Sequence, residues 1–435
     1  MAGVSALALH TRAWAGESSR PAVDAARLRE RLERLSTFGR PAGGAFADGV
    51  SRVAYSDADI AGRAYVLDEI RAAGLTPRID AAGNIFARYG GQSDQPAILL
   101  GSHIDSVPSG GNFDGDLGTL SALEAIQAVQ AAKLSTRHPL ELVVWAHEES
   151  TAFGLGTAAS RIVGGTLQAG DMARTWNGMT RADAIKRIGG QPDQIETAVR
   201  KPGAWHSYVE LHIEQGGTLD RAKVPVGIVE AIVGIYRYDV VIEGMANHAG
   251  TTPMDDRQDA MVAAAQLTIA VREIAARRPG RQVGTVGRIA VEPNSPNVIP
   301  GRVTLSVEFR DTAEATLREL DQSLRARAAA IAQESKTAIK LTLAGISPAV
   351  PAHGEVQAAI GKAADTLNLS TRRLPSGAGH DAQQVAGLCP MGMIFVPSIG
   401  GISHSPRELT SWADCARGAN VLLGTVLELD RLDTV

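Results

Sequence analysis

Short apolar runs that end in polar side chains recur along the first half of the chain. The runs 97–101 and 140–145 are almost wholly apolar, which predicts two buried strands. Segment 208–213 alternates apolar and polar residues, which predicts a strand with one apolar and one polar face. From Leu120 onward, alanine and leucine recur at helical spacing, which predicts a helix packed on the sheet. Together these patterns predict an open α/β sheet, whose ligands bind beyond the carboxyl ends of the strands.

The pattern changes near residue 233, where a second set of elements begins. The predicted order is strand 236–242, helix 259–277, strands 283–291 and 303–310, helix 313–334 and strand 339–344. Strand-helix-strand-strand-helix-strand is the order of a ferredoxin-like α+β unit. We therefore expect a discontinuous catalytic domain, residues 25–232 and 347–435, interrupted by an inserted domain of residues 233–346.

The amino terminus, residues 1–24, is expected to form a flexible leader. Its apolar stretch ends in Ala-Trp-Ala-Gly, which resembles the later part of a secretory signal. No basic region precedes that stretch, and His10 and Arg12 interrupt it. We expect a cytoplasmic enzyme; the alternative is a periplasmic one, with residues 1–15 as a truncated export signal.

Composition excludes several classes of function. A chain of 435 residues, with 44% hydrophobic and 21% charged residues, is typical of a globular protein of two domains. A net charge of -4 and the absence of a basic stripe argue against nucleic-acid binding. No apolar run reaches the roughly 18 residues of a membrane span. Cys389 and Cys415 are too isolated in the sequence to suggest a disulfide framework or a metal-binding pair.

Histidine and acidic side chains follow the predicted strands. They are His103, Asp105, Asp114, Glu148, Glu149, His212 and His404. Imidazole nitrogens and carboxylates are suitable ligands for Zn²⁺ or Mn²⁺. Asp114 lies in a glycine-rich loop before the predicted helix, where its carboxylate could bridge two ions about 3.5–4 Å apart. With a further carboxylate available as a base, the set predicts a two-metal hydrolase.

Seven ordered motifs over roughly residues 25–430 carry a resemblance to a known family. They are GSHIDSVPSGGNFDG, HEES, HIEQG, NHAGTTPMDDRQDA, PNSPNVIPG, SGAGHDA and GGISHSPRE. In this order they resemble the N-carbamoyl-L-amino-acid hydrolase, β-ureidopropionase and allantoate amidohydrolase branch of the M20 metallopeptidase-like hydrolases. The resemblance implies an aminopeptidase-like catalytic domain with two divalent ions (Zn²⁺, Mn²⁺ or Co²⁺) per subunit. It also implies that the inserted domain is a lid that mediates dimerisation, so that the enzyme is a homodimer.

The resemblance implies how the metal ligands divide. His103, Asp114 and His212 would hold one ion, and Asp114, Glu149 and His404 would hold the other.

Two further carboxylates take roles from the same resemblance. Asp105 would orient the ring of His103 through its second nitrogen. Glu148, left free of metal, would be the general base that passes a proton from water to the leaving nitrogen.

The remaining matched positions would handle the substrate. Arg310 resembles the arginine that pairs with the substrate carboxylate, a task that suits its planar fork of donors. Gln215, His248 and Asn297 resemble groups that hold the carbamoyl portion and stabilise the oxyanion, and Gly379 would line the pocket. In the family, the histidine matched by His248 reaches the active site of the partner subunit.

The resemblance implies hydrolysis of the linear C–N bond of an N-carbamoyl-L-amino acid, giving the amino acid, carbon dioxide and ammonia. Allantoate and N-carbamoyl-β-alanine are the nearest alternative substrates. An aminoacylase or dipeptidase is a further alternative, against which His212 argues because those branches usually place a carboxylate there. A protein that has lost its chemistry is the third class, and the presence of every ligand and of Glu148 argues against it.

Overall fold

The computed structural model describes residues 20–92, 94–167 and 170–435. Residues 1–19 of the expected leader, with the expected remnant of an export signal, lie outside this described part. Among the described helices, none combines the length and the hydropathy that crossing a lipid bilayer requires.

A mixed sheet of nine strands forms the larger part of the molecule. Numbered along the chain, its strands are β1 (Pro77–Ile79), β2 (Ile85–Tyr89), β3 (Ala97–His103), β4 (Leu140–Trp145), β7 (Trp205–Ile213), β8 (Val226–Ile232), β15 (Val350–Pro351), β16 (Thr371–Ser376) and β17 (Met391–Val396). The order across the sheet is β1-β2-β4-β3-β7-β17-β8-β15, and β16 pairs with β8. The four neighbours β4, β3, β7 and β17 run parallel to one another. Their carboxyl ends therefore meet at one edge of the sheet.

Helices cover both faces of this sheet. They are α1 (Ala25–Leu35), α2 (Asp57–Ala72), α3 (Asp116–Ala131), α4 (Ala158–Val163), α5 (Arg181–Arg187), α6 (Thr218–Ala222), α9 (Gly354–Thr366), α10 (Ala382–Val385) and α11 (Trp412–Leu429). In β3, Ile98 and Leu100 belong to one hydrophobic cluster and Leu99 belongs to another, as alternation across a strand requires. The parallel strands are thus buried on both sides, which explains why their sequences are nearly continuous apolar runs.

Strand β7 has the predicted alternation, and its polar face is buried. All nine of its residues are buried, including the polar residues Glu210 and His212 on the predicted polar face. Glu210 accepts hydrogen bonds from Ser102 and Tyr208, so its burial is compensated. Glu214, expected on the same polar face, lies beyond the strand and accepts from the first backbone N–H groups of α6. The polar positions of this strand therefore face the interior of the protein.

A second, antiparallel sheet has the strand order β11-β13-β9-β14. Its strands are β9 (Gly234–Glu243), β11 (Val283–Glu292), β13 (Arg302–Asp311) and β14 (Ala338–Ser347). Helices α7 (Ala260–Ala276) and α8 (Glu314–Glu334) cover one face, and every second residue of β13 faces them. All six elements predicted for this part of the chain are present. Two short pairs complete the described strands: β5 (Thr175–Trp176) with β6 (Met179–Thr180), and β10 (Asn247–His248) with β12 (Val298–Ile299).

The chain passes between the two sheets at two neighbouring points. Strand β8 ends at Ile232, one residue before β9 begins, and β14 ends at Ser347, shortly before β15. Ile232 and Val350 are paired across β8 and β15, so the two crossings are adjacent. The side-chain amide of Gln383 donates to Val233 O at 2.8 Å and to Pro348 O at 3.0 Å. One side chain therefore binds both crossings.

Candidate metal centre

The predicted ligands meet at the edge where the parallel strands end. His103 is the last residue of β3, His212 is the last but one of β7, and Glu149 follows β4. His404 lies in the loop after β17, and Asp114 immediately precedes α3. Parallel register brings these separate segments together, which is why ligands far apart in the sequence form one site.

One oxygen of Asp114 faces two imidazoles. Asp114 Oδ1 lies 3.5 Å from His103 Nε2 and 3.1 Å from His212 Nε2. All three side chains are buried. This is the first of the two ligand groups expected from the sequence.

The other oxygen of Asp114 faces a second group. Asp114 Oδ2 lies 3.4 Å from His404 Nε2, which in turn lies 3.4 Å from Glu149 Oε1. Gln215 Nε2 donates to the same Asp114 oxygen at 2.7 Å. Asp114 thus stands between two donor sets, the arrangement of a bridging carboxylate.

The donor spacing fits metal ions. Ligand atoms about 2.0–2.2 Å from a tetrahedral ion lie roughly 3.4 Å from one another, close to the separations observed here. His212 Nε2 is buried, and no hydrogen bond of the described protein satisfies it. A buried nitrogen left without a hydrogen bond beside a carboxylate is what a metal ligand requires.

Backbone carbonyls fix the tautomers of two imidazoles. His103 Nδ1 lies 3.0 Å from Asp105 O, and His212 Nδ1 lies 2.9 Å from Ile213 O. Because a carbonyl oxygen can only accept, each Nδ1 carries a proton, and each Nε2 is the atom that would offer its lone pair to a metal.

The carboxylate of Asp105 is placed differently from its prediction. It lies 3.7 Å from His103 Nδ1, beyond hydrogen-bond distance, and instead accepts from the backbone N–H groups of Glu148 and Glu149 at 3.0 and 3.1 Å. The backbone of Asp105 therefore orients the histidine, while its side chain holds the loop that carries the two glutamates.

Glycines around Asp114 make room for side chains. A Cβ on Gly115 would lie 2.5 Å from the ring of His103, and one on Gly111 would lie 2.1 Å from Glu408 Oε1. Gly115 also has φ +68°, in the left-handed region that favours glycine.

The surroundings shift the pKa of Asp114 and the pKa values of the two glutamates in opposite directions. Although burial acts to raise it, the imidazoles of His212, His103 and His404 hold the pKa of Asp114 well below its usual range. Burial raises the pKa of Glu148 well above its usual range, against the opposing effect of His103. Burial, followed by the charge of Asp114, raises the pKa of Glu149 to about 7. A carboxyl of raised pKa is a stronger base once it is ionised.

The donors open into a cavity of about 500 Å³. Of the residues expected to bind substrate, Gln215, Arg310 and Gly379 line this cavity, as does Glu148. Arg310 donates through Nε to Glu308 and through Nη1 to Gly377 O.

His248 and Asn297 are not among the cavity-lining residues of their own chain. His248 lies on β10 and is exposed, and Ala249 N donates to Asn297 O at 3.0 Å. The two residues are therefore neighbours at one edge of the smaller part of the molecule.

Sequence reasoning assigned no role to Glu408, although the motif GGISHSPRE contains it. Glu408 is buried, accepts from the backbone N–H groups of Phe113 and Asp114, and also accepts from Ser403. It fixes the backbone of the bridging residue. In the sequence, the only indication of this role is that Glu408 lies in a motif that also contains a predicted metal ligand.

His380 is buried beside His212 and lines the cavity. Its ring centroid lies 4.6 Å from that of His212, and its Nε2 is 2.7 Å from Ser376 Oγ. With Glu210 and His212 it forms a third set of close donors. Glu210 and His380 already have hydrogen-bond partners, so we assign this set to support of His212.

Comparisons with known proteins agree with this geometry. The sequence profile of "Peptidase family M20/M25/M40" matches residues 99–428. The chain is 41% identical over 411 residues to an N-carbamoyl-L-amino acid amidohydrolase of Geobacillus stearothermophilus, covering 94% of this chain and 99% of that protein. It is 36% identical over 399 residues to an allantoate amidohydrolase of Escherichia coli, covering 91% and 95%. A crystal structure of an amidase of the hydantoinase/carbamoylase family from Burkholderia multivorans superposes with a TM-score of 0.85 at 34% identity, covering 95% and 100%.

Proposed function

Because the chain belongs to peptidase family M20/M25/M40, we propose that it hydrolyses the linear C–N bond of N-carbamoyl-L-amino acids with two divalent ions per subunit. The observation that carries this proposal is Asp114, whose two oxygens face two separate groups of ligand atoms. The names of the similar amidohydrolases support the substrate class.

Five side chains hold the ions in this proposal. The first ion takes His103, Asp114 and His212; the second takes Asp114, Glu149 and His404. Zn²⁺, Mn²⁺ and Co²⁺ all fit a mixed set of imidazoles and carboxylates. When bound, such ions supply Lewis acidity, which polarises a substrate carbonyl and lowers the pKa of water.

Glu148 is the general base. It lines the cavity outside both donor groups, and its Oε2 lies 4.0 Å from His103 Nε2. Its buried carboxylate takes a proton from the attacking water and returns it to the leaving nitrogen. Asp105 positions this base through the backbone N–H of Glu148.

Arg310 binds the carboxylate of the substrate. Glu308 and Gly377 O hold its Nε and Nη1, which leaves Nη2 for an anionic ligand in the cavity. Gln215 donates to the bridging Asp114 and lines the same cavity, so it can hold the carbamoyl group beside the ions. Gly379 contributes the wall on the opposite loop.

Residues 233–346 act as a lid and dimerisation domain on the catalytic domain of residues 25–232 and 347–435. His248 and Asn297 supply groups to the partner subunit's site, since neither lines the cavity of its own chain. Exposed apolar side chains on α7 and β11 support a protein contact there; they are Val262, Ile269, Val283 and Ile289.

Subunit exchange tests this arrangement. A Glu148→Gln dimer and a His248→Ala dimer, each inactive alone, regain activity on mixing because one site of the heterodimer has both groups intact. Native mass spectrometry verifies that heterodimers form. Heterodimers without activity would place His248 outside the partner's site.

A substrate panel tests the reaction itself. Steady-state rates are measured on N-carbamoyl-L-amino acids, N-carbamoyl-β-alanine, allantoate and N-acetyl-L-amino acids. The proposal expects the first class to have the highest kcat/KM; the highest value on allantoate would instead favour the activity named for the Escherichia coli relative. Preference for N-acetyl substrates would favour an aminoacylase. Full turnover in demonstrably metal-free protein would overturn the metal mechanism.

A further inference from the structure

Three arginines line the cavity, although one substrate carboxylate needs only one. Arg161 belongs to α4 of the larger sheet's layer, whereas Arg237 and Arg310 belong to β9 and β13 of the smaller sheet. The three side chains thus come from both sides of the cavity.

Arg237 and Arg310 share one counter-ion. Residues 237 and 308 are paired across neighbouring strands, and the carboxylate of Glu308 accepts from the Nε of each arginine. Although burial acts to raise it, Arg310 and Arg237 lower the pKa of Glu308 overall, so this carboxylate is ionised at neutral pH. The group of three therefore has one net positive charge, which one substrate carboxylate neutralises.

Arg161 has no such counter-ion. Its Nε donates to Gly156 O and Thr157 Oγ1, and its Nη2 donates to Ser347 Oγ at 3.2 Å. These three acceptors are neutral, and within the described part of the chain no carboxylate forms an ion pair with it.

The surroundings of Arg161 disfavour an unpaired cation. Burial, and then the positive charge of Arg237, lower its pKa, and the more weakly acting carboxylates of Asp171 and Asp381 offset this only in part. A partly buried guanidinium next to another one is costly unless an anion joins it. The acidic residues of the cavity are Asp114, Glu148 and Glu149, which are the proposed metal ligands and base. Two divalent cations would offset their charge, so they would not serve as counter-ions of Arg161.

We propose that Arg161 binds a second acidic group of the substrate, so that the substrates are ureido dicarboxylates such as N-carbamoyl-L-aspartate or N-carbamoyl-L-glutamate. The α-carboxylate occupies Arg310, and the side-chain carboxylate forms the ion pair that Arg161 lacks. This inference rests on the proposed function and narrows its substrate class.

Arg161 also has a plain structural alternative. Its bond to Ser347 joins the α4 segment to the last strand of the smaller sheet. If holding the two parts together were its whole role, its loss would weaken the turnover of every substrate alike.

N-carbamoyl-L-aspartate and N-carbamoyl-L-asparagine provide the matched test, because they differ in charge and hardly in size. The wild-type enzyme is expected to prefer the aspartate compound by about 10- to 100-fold in kcat/KM, the range of one charge-assisted hydrogen-bonded pair. Arg161→Gln should remove that preference through KM and leave the asparagine compound nearly unchanged. Arg161→Lys should retain part of it, and Arg187→Gln, at an exposed arginine paired with Asp57, should retain it all.

Several outcomes overturn the inference. Wild-type enzyme that turns over the asparagine compound as well as the aspartate compound refutes it while leaving the proposed function intact. Equal losses on both substrates in Arg161→Gln assign the residue to structure. Failure to hydrolyse any carbamoyl compound instead removes the proposed function. If Arg161→Gln does not fold, competitive inhibition of the wild-type enzyme decides: L-aspartate must inhibit at least about tenfold more tightly than L-asparagine.

Discussion

Replacing Glu148 or Glu149 by glutamine distinguishes the general base from the metal ligand, because glutamine has nearly the same size and shape as glutamate. Glu148→Gln removes a proton acceptor that lies outside both donor groups, with its Oε2 4.0 Å from His103 Nε2. We expect metal content and folding to be retained and kcat to fall about 10²- to 10⁴-fold, the usual contribution of a general base. That loss corresponds to about 3–5 kcal/mol in the activation barrier.

Glu149→Gln should behave differently. Glu149 Oε1 lies 3.4 Å from His404 Nε2 within the second donor group. Replacing this carboxylate by an amide should therefore lower the affinity for the ion held there. Metal per subunit, measured by plasma mass spectrometry after gel filtration, should fall toward one, and added Mn²⁺ should restore part of the activity.

The assay compares kcat, KM and metal content for both variants against the wild-type enzyme, with thermal unfolding as the check on folding. If both variants lost metal to the same extent, the division of roles between the glutamates would be refuted. If Glu148→Gln kept more than a tenth of kcat, another group would have to be the base.

Three other measurements test the fold and its electrostatics. Gly115→Ala should lose metal and activity, because its Cβ would lie 2.5 Å from the ring of His103. Gly74→Ala is the control: at φ +76° it imposes similar backbone strain, but its Cβ would lie in open space, so metal and activity should be retained. Chelation should lower Tm, since ions at 100 times their Kd add about 2.7 kcal/mol of stability, and a Tm indifferent to chelator would contradict bound metal. Burial, and then His138, lower the pKa of His206 from 6.5 to about 4, so the unfolded state binds the proton first and stability falls as the pH drops from 6.5 toward 4. At pH 4.5 this effect lowers the free energy of unfolding by about 2.5 kcal/mol relative to its value above pH 6.5. His206→Phe should therefore flatten the pH dependence of the free energy of unfolding, measured with urea, over that window. An unchanged pH dependence would show that His206 is already protonated in the folded state.

The sequence was informative where one local pattern determines one local structure. The apolar runs at β3 and β4 and the change of pattern at residue 233 predicted strands that are present. The ligand groups were predictable because their motifs occur in family order, and the parallel strands bring them together.

What the sequence did not predict are contacts between segments far apart in the chain. Glu408 binds the backbone of Asp114 across nearly three hundred residues, and Arg161 reaches Ser347 across nearly two hundred. The carboxylate of Asp105 could have bonded to either of two neighbours, and only the folded loop decides that it holds the glutamates. Such choices depend on side-chain directions, which a linear pattern does not contain.

The two hydrogen bonds donated by Gln383 connect the two chain segments that join the sheets. Since both crossings are bonded to one amide, we expect them to move together as a single joint. Gln383 itself lines the cavity and follows the loop of Gly379 by four residues. If the smaller sheet moves as the proposed lid, its rotation would act on the wall of the cavity, while the strand ends that carry the proposed ligands lie on the other side of the joint and would keep their geometry. Such a lid would admit and release substrate without disturbing the proposed metal ligands.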